Sequence, residues 1–127
     1  MGNNIGLSFV GQVSANSNKT LSSRSLDFAY RVAKISVAFP IGSARLVRAH
    51  VIVSPDPTIP VAGMPSGQSV LGQYTSTDYL VGDGEIKEVE CGFDVLSKGS
   101  WLKVYVVNSD SIIHSVDAQI TLERLES

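Results

Sequence analysis

The chain has 127 residues, of which 43% are hydrophobic, and a formal net charge of −2. This length predicts a single domain with its own core, and no apolar run approaches the roughly 20 residues that span a bilayer. We therefore expect no membrane partner. One cysteine excludes an intrachain disulfide and, with no charged-then-apolar secretion signal at the N-terminus, indicates synthesis in a reducing cytoplasm.

The charge is divided unevenly along the chain. Residues 1–48 carry a net charge of +5, and residues 49–127 carry −7. Such asymmetry can serve contacts between copies or docking on a charged surface, unless folding interleaves the two halves. The basic half lacks the dense patch with aromatic platforms that nucleic-acid binding requires, so we expect no nucleic-acid partner.

Residues 1–25 differ in composition from the rest of the chain. They contain six serines, four asparagines and three glycines, with Lys19 and Arg24 as their charges. An alternation of apolar residues predicts a short strand here (Ile5, Leu7, Phe9 and Val13), and residues 14–25 are typical of a loop. We predict an N-terminal arm over 1–25, before a β-sandwich domain over 26–127. The arm is expected to lie on its own sandwich or on a neighbouring chain.

The next two stretches are typical of strands. Apolar residues in Leu26–Pro40 change face midway, which predicts a β-bulge or a strand that crosses between sheets. After a turn, Arg45–Val53 predicts a strand whose apolar residues point inward. Its other face carries Arg48 and His50, and with no partner in view we interpret His50 as a surface histidine.

Four of the five prolines lie in Ser54–Gln68 (Pro55, Pro57, Pro60 and Pro65). A loop of this length is either a crossover between sheets or a contact loop. Ser69–Val81 predicts a weaker strand region. Three acidic residues, Asp78, Asp83 and Glu85, match no calcium loop with a defined ligand order, so no metal is predicted.

The stretch Ile86–Leu122 predicts three consecutive antiparallel strands, Ile86–Leu96, Trp101–Val107 and Ile112–Leu122. A Lys98-Gly99 turn would place Phe93 opposite Val104, and a three-residue loop would place Val104 opposite Val116. The same register predicts an outer ladder of charges (Asp94, Lys103 and Asp117).

Large apolar residues also occur on the outer face of the middle strand, at Trp101, Tyr105 and Val107. Such a cluster on a nominally wet face is usually covered. The cover could be the arm, another subunit or a sugar ring stacked on the tryptophan.

Motifs of the common enzyme classes are absent from the sequence. There is no nucleophile elbow, P-loop, His-Glu-x-x-His or dinucleotide fingerprint, and His50 and His114 fall on separate predicted strands. A nucleophile, base and orienting group cannot be assembled. We therefore predict no enzyme, no catalytic residue and no cofactor.

The pattern as a whole predicts an all-β fold, an antiparallel β-sandwich of seven to nine strands, jelly-roll-like, with an extended N-terminal arm. The chain resembles the cement or decoration proteins of tailed bacteriophage capsids in its small size, its two-sided charge, its polar arm and its lack of a catalytic set. The resemblance is one of whole-chain character, and it transfers no specific residue.

That resemblance implies a structural virion protein on the capsid surface, made in the host cytoplasm, which holds neighbouring capsomers together. Its partners would be the major capsid protein and further copies of itself in a homotrimer. The contacts would come from the arm, the proline loop and the outer face of the middle strand (Ile5, Leu7, Phe9, Arg24, Pro57, Pro60, Trp101 and Tyr105). The alternative is a carbohydrate- or receptor-binding module of a head fibre or tail, with Trp101 and Tyr105 as a stacking platform.

Overall fold

The structure, a computed structural model, describes residues 3–42, 46–56, 64–74, 77–96 and 98–125. Within these ranges the chain forms β-strands and one 3-10 turn, Leu71–Gln73. The strands are β1 (Asn3–Val13), β2 (Ser17–Ser22), β3 (Tyr30–Ala38), β4 (Val47–Ser54), β5 (Gln68–Ser69), β6 (Leu80–Val81), β7 (Ile86–Val95), β8 (Trp101–Asn108) and β9 (His114–Arg124). No described helix is long and apolar enough to cross a membrane.

The strands form two antiparallel sheets that face each other. The first sheet has the order β1-β9-β3-β7, and the second has the order β2-β8-β4-β5, with β6 also paired to β4. Apart from the β4–β5–β6 stretch, each strand lies in the opposite sheet from the one before it in the chain. This alternation defines a jelly roll and confirms the predicted fold class.

The core lies between the inward faces of the two sheets. Its largest fully buried side chains include Tyr30, Ile35, Leu102, Ile120 and Leu122. The period of two along each strand places these residues on one face, and burial of that face stabilises the sandwich by roughly 25 cal/mol for each Å² of apolar surface removed from water.

The predicted change of face within Leu26–Pro40 is confirmed as a β-bulge. The register of β3 against both β7 and β9 shifts between Val32 and Lys34. Because one extra residue is inserted there, Val32 and Ile35 both point into the core and both are fully buried.

The three-stranded meander predicted over Ile86–Leu122 is wrong in its connectivity. β7 and β9 lie in the first sheet and β8 lies in the second, so the two loops between them cross from sheet to sheet. Val104 faces Val51 and Leu21 across its neighbouring strands, in place of Phe93 and Val116. The alternation of apolar and polar residues shows which side chains point inward. It is the same whether the two strands are joined by a hairpin or by a loop that crosses to the other sheet, so it does not determine the connectivity.

The predicted charge ladder is wrong for the same reason. Asp94 accepts a hydrogen bond from Arg31 on β3, with 2.6 Å between Nε and Oδ1. Lys103 is fully buried on the outer face of the second sheet, and its Nζ donates to the backbone oxygen of Asp56 at 2.6 Å.

The stretch predicted as an arm is built into both sheets of the same chain. The strand predicted from Ile5 to Val13 is confirmed as part of β1, which pairs with β9 along its whole length. The loop expected over 14–25 is wrong for β2, which pairs with β8. A tight turn over 14–16, in which Asn16 has a φ of 51°, carries the chain from one sheet to the other.

Candidate functional site

The predicted contact residues that the structure describes lie in different parts of the fold. Three of them (Ile5, Leu7 and Phe9) share the core-facing side of β1 and pack against the core, with Phe9 buried. Arg24 is exposed between β2 and β3, and Trp101 is half-buried opposite Ser54. Pro57 and Pro60 lie outside the described residues.

Tyr105 is buried on the outer face of the second sheet by other parts of the same chain. The ring of His50 lies 5.5 Å from that of Tyr105 and 5.6 Å from that of Tyr79. The guanidinium of Arg48 lies 4.8 Å from the Tyr79 ring, within reach of a cation–π contact. The prediction of a surface histidine is therefore wrong, since His50 is only 7% exposed.

The surroundings of His50 favour the neutral imidazole. Its Nδ1 has no hydrogen-bond partner among the described residues, and the nearest carboxylate oxygen, of Asp78, is 3.9 Å away. Burial lowers the pKa of His50, and Arg48 lowers it further, whereas Asp78 raises it in part. This arrangement is a packed cluster of three rings.

A different site lies at one end of the sandwich, where the described parts of four connections meet: residues 14–16, residues 39–42 with 46, residues 82–85 and residues 109–113. The registers place them together, because Val13 pairs with His114 and Ala38 pairs with both Ile86 and Asp117. Six of the nine large hydrophobic residues that the described chain exposes lie here (Val10, Ile41, Leu46, Ile86, Ile112 and Ile113). They are between 40% and 89% exposed, and we call this set the apolar end.

Hydrogen bonds fix the loop that carries Ile112 and Ile113. The buried amide of Asn108 donates to the backbone oxygens of Val13, Ser14 and Ile112 at 3.0, 3.3 and 2.9 Å. Its Oδ1 accepts from the backbone N–H of Asp110 at 2.9 Å. These bonds tie the β1–β2 turn to the β8–β9 loop.

The carboxylate of Asp110 adds a further bond to this loop. It lies 2.8 Å from Nε2 of His114, which is buried. That bond lowers the pKa of Asp110.

A second pair of turns presents Ile41. The backbone N–H of Gly42 donates to Asp83 Oδ1 at 2.8 Å, and the N–H of Gly84 donates to the backbone oxygen of Pro40 at 3.1 Å. Gly84 has a φ of +63°, and a Cβ there would lie 2.8 Å from the Ile41 side chain. The two turns therefore hold Ile41 in a fixed position, although it is the most exposed of the six residues.

Acidic side chains surround the apolar end. The described acidic residues here are Asp83, Glu85, Asp110 and Asp117, and the described basic residues are Lys87 and Arg48, which pairs with Val81 and Val107. Lys87 lies 3.5 Å from Glu85 and neutralises part of that charge. A groove of about 300 Å³ crosses the outer face of the first sheet between Val10 and Pro40. The surface is thus apolar with a net negative rim.

The sequence does not predict the apolar end because its residues lie on two strands and two connections that are far apart in the chain. A local signal was present, since Ile41 follows Pro40 in a turn and Ile112-Ile113 follow Ser-Asp-Ser. Apolar side chains in turns have no strand face to bury them. Ile112 was predicted to begin a strand and to point inward, but β9 begins at His114 and Ile112 is 56% exposed.

The opposite end of the sandwich contains a larger cavity of about 630 Å³. Its lining includes Val53, Pro55, Gly67, Phe93 and Leu96. We assign no site to this cavity. No group of three or more potential metal ligands occurs among the described residues.

Comparison with known proteins identifies the fold. No protein-family model matches the chain, and no curated protein matches it. A chain of the cyanophage Pam1 capsid asymmetric unit has a TM-score of 0.55 at 11% identity, over 96% of this chain and 85% of that chain. A chain of Sulfolobus turreted icosahedral virus has a TM-score of 0.54 at 14% identity, over 96% of this chain and 29% of that chain. At such identities the likeness shows the fold alone: this chain has a jelly roll similar to those in virus particles.

Proposed function

We propose that the chain is a non-enzymatic structural protein of a virion, a cement or decoration protein that binds the capsid surface and stabilises contacts between neighbouring capsomers. The main support for this proposal is the apolar end. Six large hydrophobic side chains are exposed at one end of the sandwich, and hydrogen bonds hold the turns that carry Ile41 and Ile112. Such a group is typical of a surface that is buried in an assembly. The capsid-type jelly roll supports the same class of function.

The acidic rim favours the major capsid protein as the partner that covers the apolar end. Contact between the apolar ends of two copies would bring Asp83, Asp110 and Asp117 of one copy close to those of the other. Like charges brought together oppose association, whereas a neutral or basic partner pairs favourably with this rim. The chain would therefore lie with its apolar end on the capsid.

The remaining parts of the proposal concern assembly and location. The chain would form a homotrimer through other surfaces, would occupy the outside of the capsid, and would be made in the host cytoplasm. Three apolar ends directed at one capsid would bind far more tightly than one, because the second and third contacts become intramolecular.

Particle stability tests the function. Capsids that lack this protein are expected to break at a lower temperature, or at a weaker osmotic shock, than capsids to which the purified protein has been added back. The assay is release of packaged nucleic acid during a temperature ramp. Equal release temperatures with and without the added protein, at saturating binding, would contradict a stabilising role.

The carbohydrate-binding alternative depends on two aromatic rings that are presented to solvent. Tyr105 is buried beneath His50, and Trp101 is half-buried. The alternative predicts that Trp101→Ala abolishes glycan binding and leaves assembly unchanged. On a glycan array, we expect neither the parent protein nor this variant to bind.

A further inference from the structure

The free edges of the two sheets differ in how they are protected from pairing with another strand. An unpaired edge exposes a row of backbone N–H and C=O groups, and proteins protect such edges with charges, bulges, prolines, very short strands or a covering group. In the second sheet, β5 has only two residues, and β2 carries the exposed Lys19 on its core-facing side. Both devices oppose the addition of a strand.

The β7 edge of the first sheet is also protected. It carries four charged residues (Lys87, Glu88, Glu90 and Asp94) among its ten. In addition, the backbone N–H of Gly92 donates to the hydroxyl of Tyr74 at 3.1 Å. Part of this edge is therefore already bonded within the chain.

The β1 edge has none of these devices in the part of the chain that the structure describes. β1 is eleven residues long, contains no charged residue and no proline, and pairs with β9 in an unbroken register from Asn3 to Val13. Within the described part of the chain its single strand neighbour is β9. In an antiparallel ladder, every second residue directs its N–H and C=O away from the neighbouring strand. About half of the backbone groups of β1 are thus available to another strand.

We propose that β1 accepts an extended segment of the major capsid protein as an additional strand of the first sheet. The proposal rests on the proposed function and deepens it, because it names the part of the partner that is bound. β1 runs directly into the apolar end, to which its own exposed Val10 belongs. One capsid protein can therefore cover the apolar end and continue along β1.

The geometry favours a capsid segment over a second copy of this chain. Two β1 strands paired antiparallel would direct their apolar ends in opposite directions, so only one of the two could contact a given capsid surface. Because β1 is uncharged, recognition would come from main-chain hydrogen bonds, with side chains alternating between the two faces. The expected segment is extended, free of acidic residues and without internal proline.

Hydrogen exchange tests the proposal directly. The purified protein is compared free and bound to capsids that lack it, and deuterium uptake is measured in peptides that cover β1 and β9. On binding, we expect slower uptake in β1, whose outward N–H groups gain partners. The β9 peptides serve as the control, since β9 is paired on both sides and should change little.

A matched pair of variants gives a second measurement. Gly6 of β1 and Gly92 of β7 are both exposed on the outer face of the first sheet, and a Cβ at either position would meet no atom within 4 Å. Gly6→Lys places a charge on the β1 edge and is expected to weaken capsid binding about tenfold. Gly92→Lys places the same charge on the opposite edge and is expected to leave binding within about twofold.

The outcomes separate this proposal from the proposed function. Capsid binding without a change of uptake in β1, or equal effects of the two lysine variants, overturns the strand addition and leaves the capsid role intact. An absence of capsid binding overturns both. In the free protein, deuterium uptake in β1 could become slower as the protein concentration rises. That result would show that β1 pairs with β1 of another copy, and it would overturn the proposal of a capsid segment.

Discussion

Replacement of Asn108 tests whether hydrogen bonds at the apolar end hold the fold together. This side chain is 1% exposed and makes four hydrogen bonds, three as donor and one as acceptor. In Asn108→Ala, the buried oxygen of Val13 loses its partner at a cost of about 1–3 kcal/mol. The other three bonds are partly reached by solvent and contribute about 0.5–1 kcal/mol each. We therefore expect a loss of about 4 kcal/mol in the free energy of unfolding.

Urea denaturation followed by tryptophan fluorescence measures this loss, because Trp101 lies at the start of β8 and Asn108 at its end. Asn4→Ala, at an exposed position on β1, is the control and should change stability by less than about 0.5 kcal/mol. If Asn108→Ala lost less than about 1 kcal/mol, the hydrogen bonds would contribute little, and the reasoning would be refuted.

Two further predictions concern His50 and Gly67. Because burial lowers the pKa of His50 in the native state, the unfolded chain takes up a proton more readily, and native stability should fall as pH decreases from about 6.5. His50→Phe keeps a ring between Tyr79 and Tyr105 and should remove that part of the pH dependence in urea titrations at pH 7.5 and 5.5. Gly67 has a φ of +136°, and a Cβ there would lie 2.3 Å from the backbone oxygen of Val53. Gly67→Ala should therefore lower the thermal midpoint markedly in calorimetry, whereas Gly6→Ala, which meets no atom within 4 Å, should not.

Much of the fold could be predicted because the two faces of a strand are determined by a local pattern in the sequence. The change of face in Leu26–Pro40 predicted the bulge at Val32–Lys34, and the alternation in β8 predicted Leu102, Val104 and Val106 as core residues. These signals depend only on the period of two along a strand. The all-β sandwich class followed from them.

The pairing of strands could not be predicted in the same way. The connections from β7 to β8 and from β8 to β9 are as short as hairpin loops, yet each joins strands of different sheets. Whether a short connection forms a hairpin or crosses to the other sheet depends on which strands pair with the two strands that it joins. Those neighbouring strands are formed by residues far away in the chain. β9 lies between β1 and β3, more than 75 residues apart from either in sequence.

The candidate site depends even more on distant residues. His50 is buried because Tyr79 and Tyr105, from two other segments, pack against its ring. The apolar end combines six residues from two strands of the first sheet and from two connections between the sheets, so no single window of sequence contains it. Ile41 and Ile112 could have been noticed as apolar residues in turns, but their common location requires the jelly-roll topology.

The proposed contact between the apolar end and the capsid can be tested by the affinity of the protein for capsids that lack it. We compare the parent protein with the double variant Ile41→Asp/Ile113→Asp and with Leu96→Asp, which alters an exposed residue at the opposite end. Burial of an isoleucine contributes about 1.5–3 kcal/mol, so the double variant should bind at least about 100-fold more weakly in co-sedimentation. Leu96→Asp should bind like the parent protein. Undiminished binding by the double variant would contradict the account.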